Sequence, residues 1–128
     1  MSVATVAAVP VRAIRGATQL DVDDRDHLLA SVDELIREIL AQNHLGTEHL
    51  ISMIFTATPD LHSEFPALAA RQLGIGDVPL LCSHEIDVAG AMPRVIRLLA
   101  HVETDLPRAD VHHVYLRGAA ALRRDLPS

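Results

Sequence analysis

The chain has 128 residues, enough for one domain that buries roughly two thirds of its unfolded surface and too few for a second core. Its formal net charge is −6 with no basic run, which argues against nucleic acid, and its longest uncharged stretch is too short to cross a bilayer. Apolar residues make up 49% and mean hydropathy is +0.22, yet aromatics are only 2%, so Leu, Val, Ile and Ala must build the core.

A small domain this apolar is expected to hide surface in an oligomer. The single cysteine, Cys82, excludes an internal disulfide and fits a reducing compartment. Residues 1–8 read as a flexible tail, since they lack the charged start of a secretion signal, and 9–128 read as a single domain. A soluble, cytoplasmic protein is expected. All 11 basic residues are Arg, which weakens any claim that one of them was selected over Lys for its geometry.

A first strand is expected near Val9 to Ala17. The acidic turn at Asp21 to Asp24 then leads into the clearest helix, with Asp23 or Asp24 as its cap. Leu28, Leu29, Val32, Leu35, Ile36, Ile39 and Leu40 recur at spacings of three and four, which makes one apolar stripe, and Gly46 is expected to end the helix. Leu50 to Thr56 is an apolar run of strand length, closed by a turn at Thr58-Pro59-Asp60.

Pro66 starts a short helix to Leu73, stopped by Gly74 and Gly76. Val78 to Cys82 reads as a third strand. Val95 to Thr104 suits either a helix or a buried strand, and strand is chosen: Arg97, His101 and Glu103 then share one face while Ile96, Leu98, Ala100 and Val102 fill the other. Val111 to Leu122 reads as a fifth strand centred near Tyr115. One long helix and one short helix among five strands, without regular alternation, indicate an α+β layer with a mixed sheet.

Arg97, set inside Val95-Ile96-Arg97-Leu98-Leu99, is the most informative position. A guanidinium stays charged at any accessible pH and is costly to bury alone, so it calls for an anion from the protein or from a ligand. Arg15 repeats the pattern, and with Arg71 and Arg123 further along the set suggests a pocket for an anionic small molecule. Taken singly, each arginine also fits a strand with one wet face.

Other chemistries fail on their spacing. His84-Glu85 has Val at position 88 where a zinc helix needs its second His, and the turn at Asp21 lacks the Gly and terminal Glu of a calcium loop. Gly74-Ile75-Gly76 is too short to cradle phosphate. Cys82 reads as a nucleophile with a histidine base or as a small buried hydrophobe. Glu85 reads as an acid, a base, a hydrogen-bond acceptor or ordinary surface.

Taken in order, several segments resemble a known family. Ile14-Arg15-Gly16-Ala17-Thr18, Ala57-Thr58-Pro59-Asp60-Leu61-His62, Phe65-Pro66-Ala67, Cys82 with Glu85 and Asp87-Val88, Ile96-Arg97, His113-Val114-Tyr115-Leu116 and Leu122-Arg123 resemble the AroH class of chorismate mutase, from about Val11 to Leu126. The resemblance implies conversion of chorismate to prephenate, a pericyclic rearrangement that needs no cofactor and no metal. It also implies a homotrimer built as a pseudo α/β barrel with its sites between subunits.

Carried over by motif, Arg97 faces the breaking ether oxygen and a carboxylate, Arg15 grips the other side of the substrate, and Tyr115 bonds a carboxylate. Glu85, helped by Cys82, holds the ring hydroxyl. Phe65, Ala67, Leu68 and Arg71 are expected from the neighbouring subunit, and Leu122 and Arg123 from a C-terminal segment that closes over the ligand. Leu68 stands where the family often has Lys, and Leu81 replaces a more polar residue. A non-catalytic trimeric binder of carboxylates and a trimeric imine deaminase are the alternatives, the second matching the motifs poorly.

Overall fold

The computed structural model describes residues 8–123; most of the expected tail, and the chain beyond Arg123, lie outside the described residues. The strands are β1 (Val11–Gln19), β2 (Leu50–Ala57), β3 (Leu80–His84), β4 (Val95–Glu103) and β5 (Val114–Leu116). The helices are α1 (Arg25–Gln42) and α2 (Pro66–Gln72). Among the described residues there are also three 3-10 turns, η1 (Thr47–His49), η2 (Arg108–Asp110) and η3 (Arg117–Arg123). The sheet runs β3-β2-β4-β1-β5 and is mixed, since β4 is antiparallel to both neighbours while β1 with β5 and β2 with β3 run parallel.

The expected α+β fold is therefore the observed one. Helix α1 starts on Asp24, whose carboxylate accepts the His27 amide at 3.0 Å, so of the two cap candidates the second is used. Asp23 instead accepts the His62 and Ser63 amides and holds the loop before α2. Six apolar residues of the α1 stripe, Leu28 to Ile39, are buried, and each contributes about 1.5–3 kcal/mol of transfer free energy.

The stop of α1 differs from expectation. His44, not Gly46, takes the left-handed backbone at φ 54, and the Leu45 amide bonds Leu40 O while the His44 amide bonds Ala41 O. The helix is thus closed by its own carbonyls three residues before Gly46. Helix α2 begins on Pro66 as expected and closes in the same way at Gly74, φ 85, with Ile75 buried behind it.

Two strand boundaries are corrected. The third strand is shifted to Leu80–His84, in register with Met53 to Ala57 of β2. The fifth is only three residues long, because Arg117 at φ 54 turns the chain away from β1 and the apolar residues that follow wind into η3. His112 and His113, inside the strand expected from Val111, accordingly precede the observed one.

Helices α1 and α2 cover one face of the sheet, where Ile14, Met53, Phe55, Ile96, Leu98, Ala100 and Val102 are buried. On the opposite face η3 covers only one end, burying Ala17, Val95 and Ala119 against Met92, Tyr115 and Leu122. The rest of that face carries Arg15, Ile54, Thr56, Arg97, Leu99 and His101, all partly exposed. No helix of the described residues is long and apolar enough to cross a membrane.

Candidate active site

Register builds the site on the open sheet face. Arg97 of β4 lies between Thr56 of β2 and Ala17 of β1, and Ala17 in turn pairs with Tyr115 of β5. A small residue between Arg97 and Tyr115 leaves space above the strands. One row along, Leu99 lies between Ile54 and Arg15. These two rows, with Leu122 and Arg123 folded back by η3, enclose a cavity of about 480 Å³.

Arg97 donates from Nη1 to Glu85 Oε1 at 3.0 Å, and the other carboxylate oxygen of Glu85 accepts the Thr56 hydroxyl at 2.6 Å. Glu85 itself is held by its amide, which bonds Ala57 O at the end of β2. The side chain of Glu85 is 19% exposed and that of Arg97 is 43% exposed, so the pair anchors the guanidinium while leaving much of it open to the cavity. Part of the anion that the embedded Arg97 required thus comes from the protein itself.

Arg15 and Arg123 make no ion pair among the described residues, and the Nε of Arg123 is buried without an acceptor. Three guanidinium groups against one carboxylate give the cavity a net of two positive charges. A dianion with an apolar body matches this lining of Arg, Tyr, Ile and Leu. No cluster of His, Cys, Asp or Glu among the described residues is arranged to hold a metal.

The expected site residues divide into two groups within one chain. Arg97, Glu85, Arg15, Tyr115, Leu122 and Arg123 come together. Cys82, Phe65, Ala67 and Arg71 form a second group along α2 and β3, in two adjoining depressions of about 340 and 310 Å³ that share Phe65 and Cys82. The division follows from strand alternation: Cys82 packs toward the helices, and Leu81, 61% exposed, stands on the opposite side of β3.

Cys82 therefore does not line the Arg97 cavity of its own chain. Phe65 is 68% exposed, Arg71 is exposed and has no ion pair among the described residues, Ala67 is buried, and Leu68 packs on the core. Sequence reasoning passed over Gly16, Ile54, Thr56 and Leu99, all of which line the cavity. Thr56 had a signal, since it is the one polar residue at the end of an apolar run. Ile54 and Leu99 had none, because apolar strand residues look alike whichever face they occupy.

Comparison with known proteins places the chain in a family. Residues 11–126 match the family model described as chorismate mutase type I. The chorismate mutase AroH of Thermus thermophilus is 48% identical over 119 residues, covering 92% of this chain and 98% of that protein. The chorismate mutase AroH of Bacillus subtilis (strain 168) is 41% identical over 117 residues, covering 91% and 92%. The solved structure of a chorismate mutase from Clostridium thermocellum superposes with a TM-score of 0.85 at 43% identity, covering 86% of this chain and 98% of that one. The chain belongs to the chorismate mutase type I family.

Proposed function

We propose that this chain converts chorismate to prephenate by electrostatic stabilisation and conformational restriction, on the route to phenylalanine and tyrosine. The observation that carries the reading is the cluster of Arg15, Arg97 and Arg123 around a cavity with Tyr115, one of the three already tied to Glu85. Chorismate is a dianion, and negative charge gathers on its ether oxygen as the C–O bond lengthens. A cation fixed beside that oxygen favours the transition state over the ground state, which is the condition for a higher turnover number.

In this reading Arg97 meets the ether oxygen and a carboxylate with the guanidinium donors that Glu85 does not use. Arg15 and Tyr115 hold carboxylate groups, Arg123 offers its unpaired Nε, and Glu85 meets the ring hydroxyl. A rate enhancement of about 10⁶ requires roughly 8 kcal/mol of barrier lowering. One donor at a developing oxyanion supplies roughly 3–4 kcal/mol, and holding the enolpyruvyl arm in its compact conformer supplies much of the rest. No proton transfer enters the reaction.

The working form is a homotrimer in the cytoplasm. Supporting this, the Phe65, Ala67, Arg71 and Cys82 group lies apart from the Arg97 cavity within one chain, as a cleft completed by a second copy requires. Phe65 at 68% and Ile86 at 86% exposure are apolar surface of the kind a subunit contact covers. Incubating the purified protein with chorismate, and following loss of its ultraviolet absorbance with identification of prephenate, tests the activity. Tight binding without prephenate would instead show a carboxylate binder, and sedimentation tests the trimer.

A further inference from the structure

The pairing of β1 with β5 begins at Gly16 and Val114. Immediately before it, the backbone amide of Arg15 donates not to a carbonyl but to the ring of His113, at 2.9 Å from Nδ1. To accept, Nδ1 must carry its lone pair, so the ring proton of the neutral imidazole sits on Nε2. A protonated ring would set donor against donor.

The surroundings favour the neutral ring. Burial, followed by the charges of Arg15, Arg123 and His112, lowers the His113 pKa from its ordinary value. Facing it are Arg12 and Arg15 from β1, His101 from β4, Arg108 from η2 and Arg123 from η3, and no carboxylate of the described residues lines the cavity of about 500 Å³ that His113 shares with the first four. The backbone leading to the ring is fixed as well. Buried Asn43, just past α1, donates from Nδ2 to His112 O at 2.9 Å and accepts the His112 amide at Oδ1, 2.8 Å away.

We propose that His113 is a positioning residue for Arg15: from a segment clamped to the end of α1, its ring holds the Arg15 amide and so sets where the guanidinium leaves β1 to enter the cavity shared with Arg97 and Tyr115. The inference rests on the reading that Arg15 grips a substrate carboxylate. His113 itself touches no substrate. Because the ring works only when neutral, the grip loosens as the ring takes up a proton.

The test compares wild type, His113→Asn, His113→Ala and Arg15→Ala on chorismate between about pH 5 and pH 8. Loss of one hydrogen bond of ordinary strength predicts a KM about five- to tenfold higher in His113→Ala, with kcat within about twofold. Asn offers an acceptor oxygen that does not titrate, so His113→Asn should restore KM and lack the acid-side rise in KM expected of wild type. The Arg15 amide resonance of wild type should move with the ring titration.

A His113→Ala variant with wild-type KM, beside an Arg15→Ala variant whose KM rises, overturns the positioning role and leaves the substrate site intact. Unchanged KM in both variants overturns both readings. An acid limb that survives in His113→Asn also overturns the proposal. Should His113→Ala not fold, the amide titration decides: an Arg15 resonance indifferent to the ring titration overturns it.

Discussion

Arg97 Nη1 and Glu85 Oε1 lie 3.0 Å apart across the open face of the sheet, and Thr56 holds the second oxygen of the same carboxylate. The pair fixes the guanidinium over the cavity, and because the arginine remains 43% exposed, donors that Glu85 does not use stay open to a ligand. Arg97→Ala should therefore lower kcat by about 10²- to 10³-fold or more, the worth of one donor at a developing oxyanion. The assay is steady-state chorismate turnover, with sedimentation to show an unchanged assembly. Near-normal turnover in a folded variant would contradict the assignment.

Thr56 tests whether the placement of Glu85 matters beyond its charge. Thr56→Val keeps the shape and removes the hydroxyl that donates to Glu85 Oε2. A hydrogen bond to a charged group contributes about 1.5–3 kcal/mol, so the melting temperature should fall. Freed on one side, the carboxylate should follow Arg97 into new rotamers and lower kcat/KM several-fold. A variant that melts earlier yet turns over chorismate as wild type does would make Thr56 a purely structural residue.

Arg71 and Cys82 stand in the second group of residues, apart from Arg97 within one chain. If a second copy brings Arg71 to the cleft, it adds a cation at the entrance rather than at the reacting bond. Arg71→Ala should then raise KM several-fold at unchanged kcat, and added salt should weaken the wild type in the same direction. Cys82→Ala should be much milder, because its sulfur packs toward the helices. An unchanged KM in Arg71→Ala would remove it from the substrate path.

The elements legible in the sequence were those whose pattern and burial agree. The stripe of α1 and the alternation around Arg97 identified a helix and a central strand, because each buries one face only. The end of α1 was not legible: a left-handed residue need not be Gly, and His44 adopts that backbone where Gly46 looked the better stop. Val111 to Leu122 looked like a strand because Ala119 and Leu122 are apolar. They are apolar to cover Ala17 and Val95, as part of η3.

Within the site, Arg15 and Arg97 were visible as charged groups set in apolar runs, while Tyr115 entered through the family resemblance and Arg123 as one more arginine further along. The contacts that orient them were not. Thr56 with Glu85 and Arg15 with His113 are separated by 29 and 98 residues, so only the strand order brings them together. Local spacing carries no trace of such pairs.

The lowered pKa of His113 makes stability depend on pH in a definite sense. Burial and the neighbouring arginines depress the folded value below the unfolded one, so at mildly acid pH the unfolded chain binds more protons at this site. The contribution is complete above about pH 6.5, the ordinary histidine value, and is lost as the pH falls toward the depressed one. The melting temperature should decline on that acid side, and His113→Asn should flatten the decline. A slope identical in the variant would assign the effect to other groups.

Gly16 is where catalysis and packing meet, because it lies between Arg15 and Ala17 on the strand that α1 crosses. A Cβ built there would lie 2.6 Å from Ile39 Cδ1, 3.1 Å from Leu35 Cδ1 and 3.4 Å from Val114 O. Both side chains end in movable methyls, but both are essentially unexposed and hemmed in by the core, so neither can yield freely. Gly16→Ala should cost about 1–3 kcal/mol through overpacking, read as a lower midpoint in denaturant at unchanged slope. Because the strain is relieved by easing β1 away from α1, Arg15 shifts with it, and KM should rise further than kcat falls. A destabilised variant with unaltered KM would show that the strand absorbs the extra methyl without moving the guanidinium.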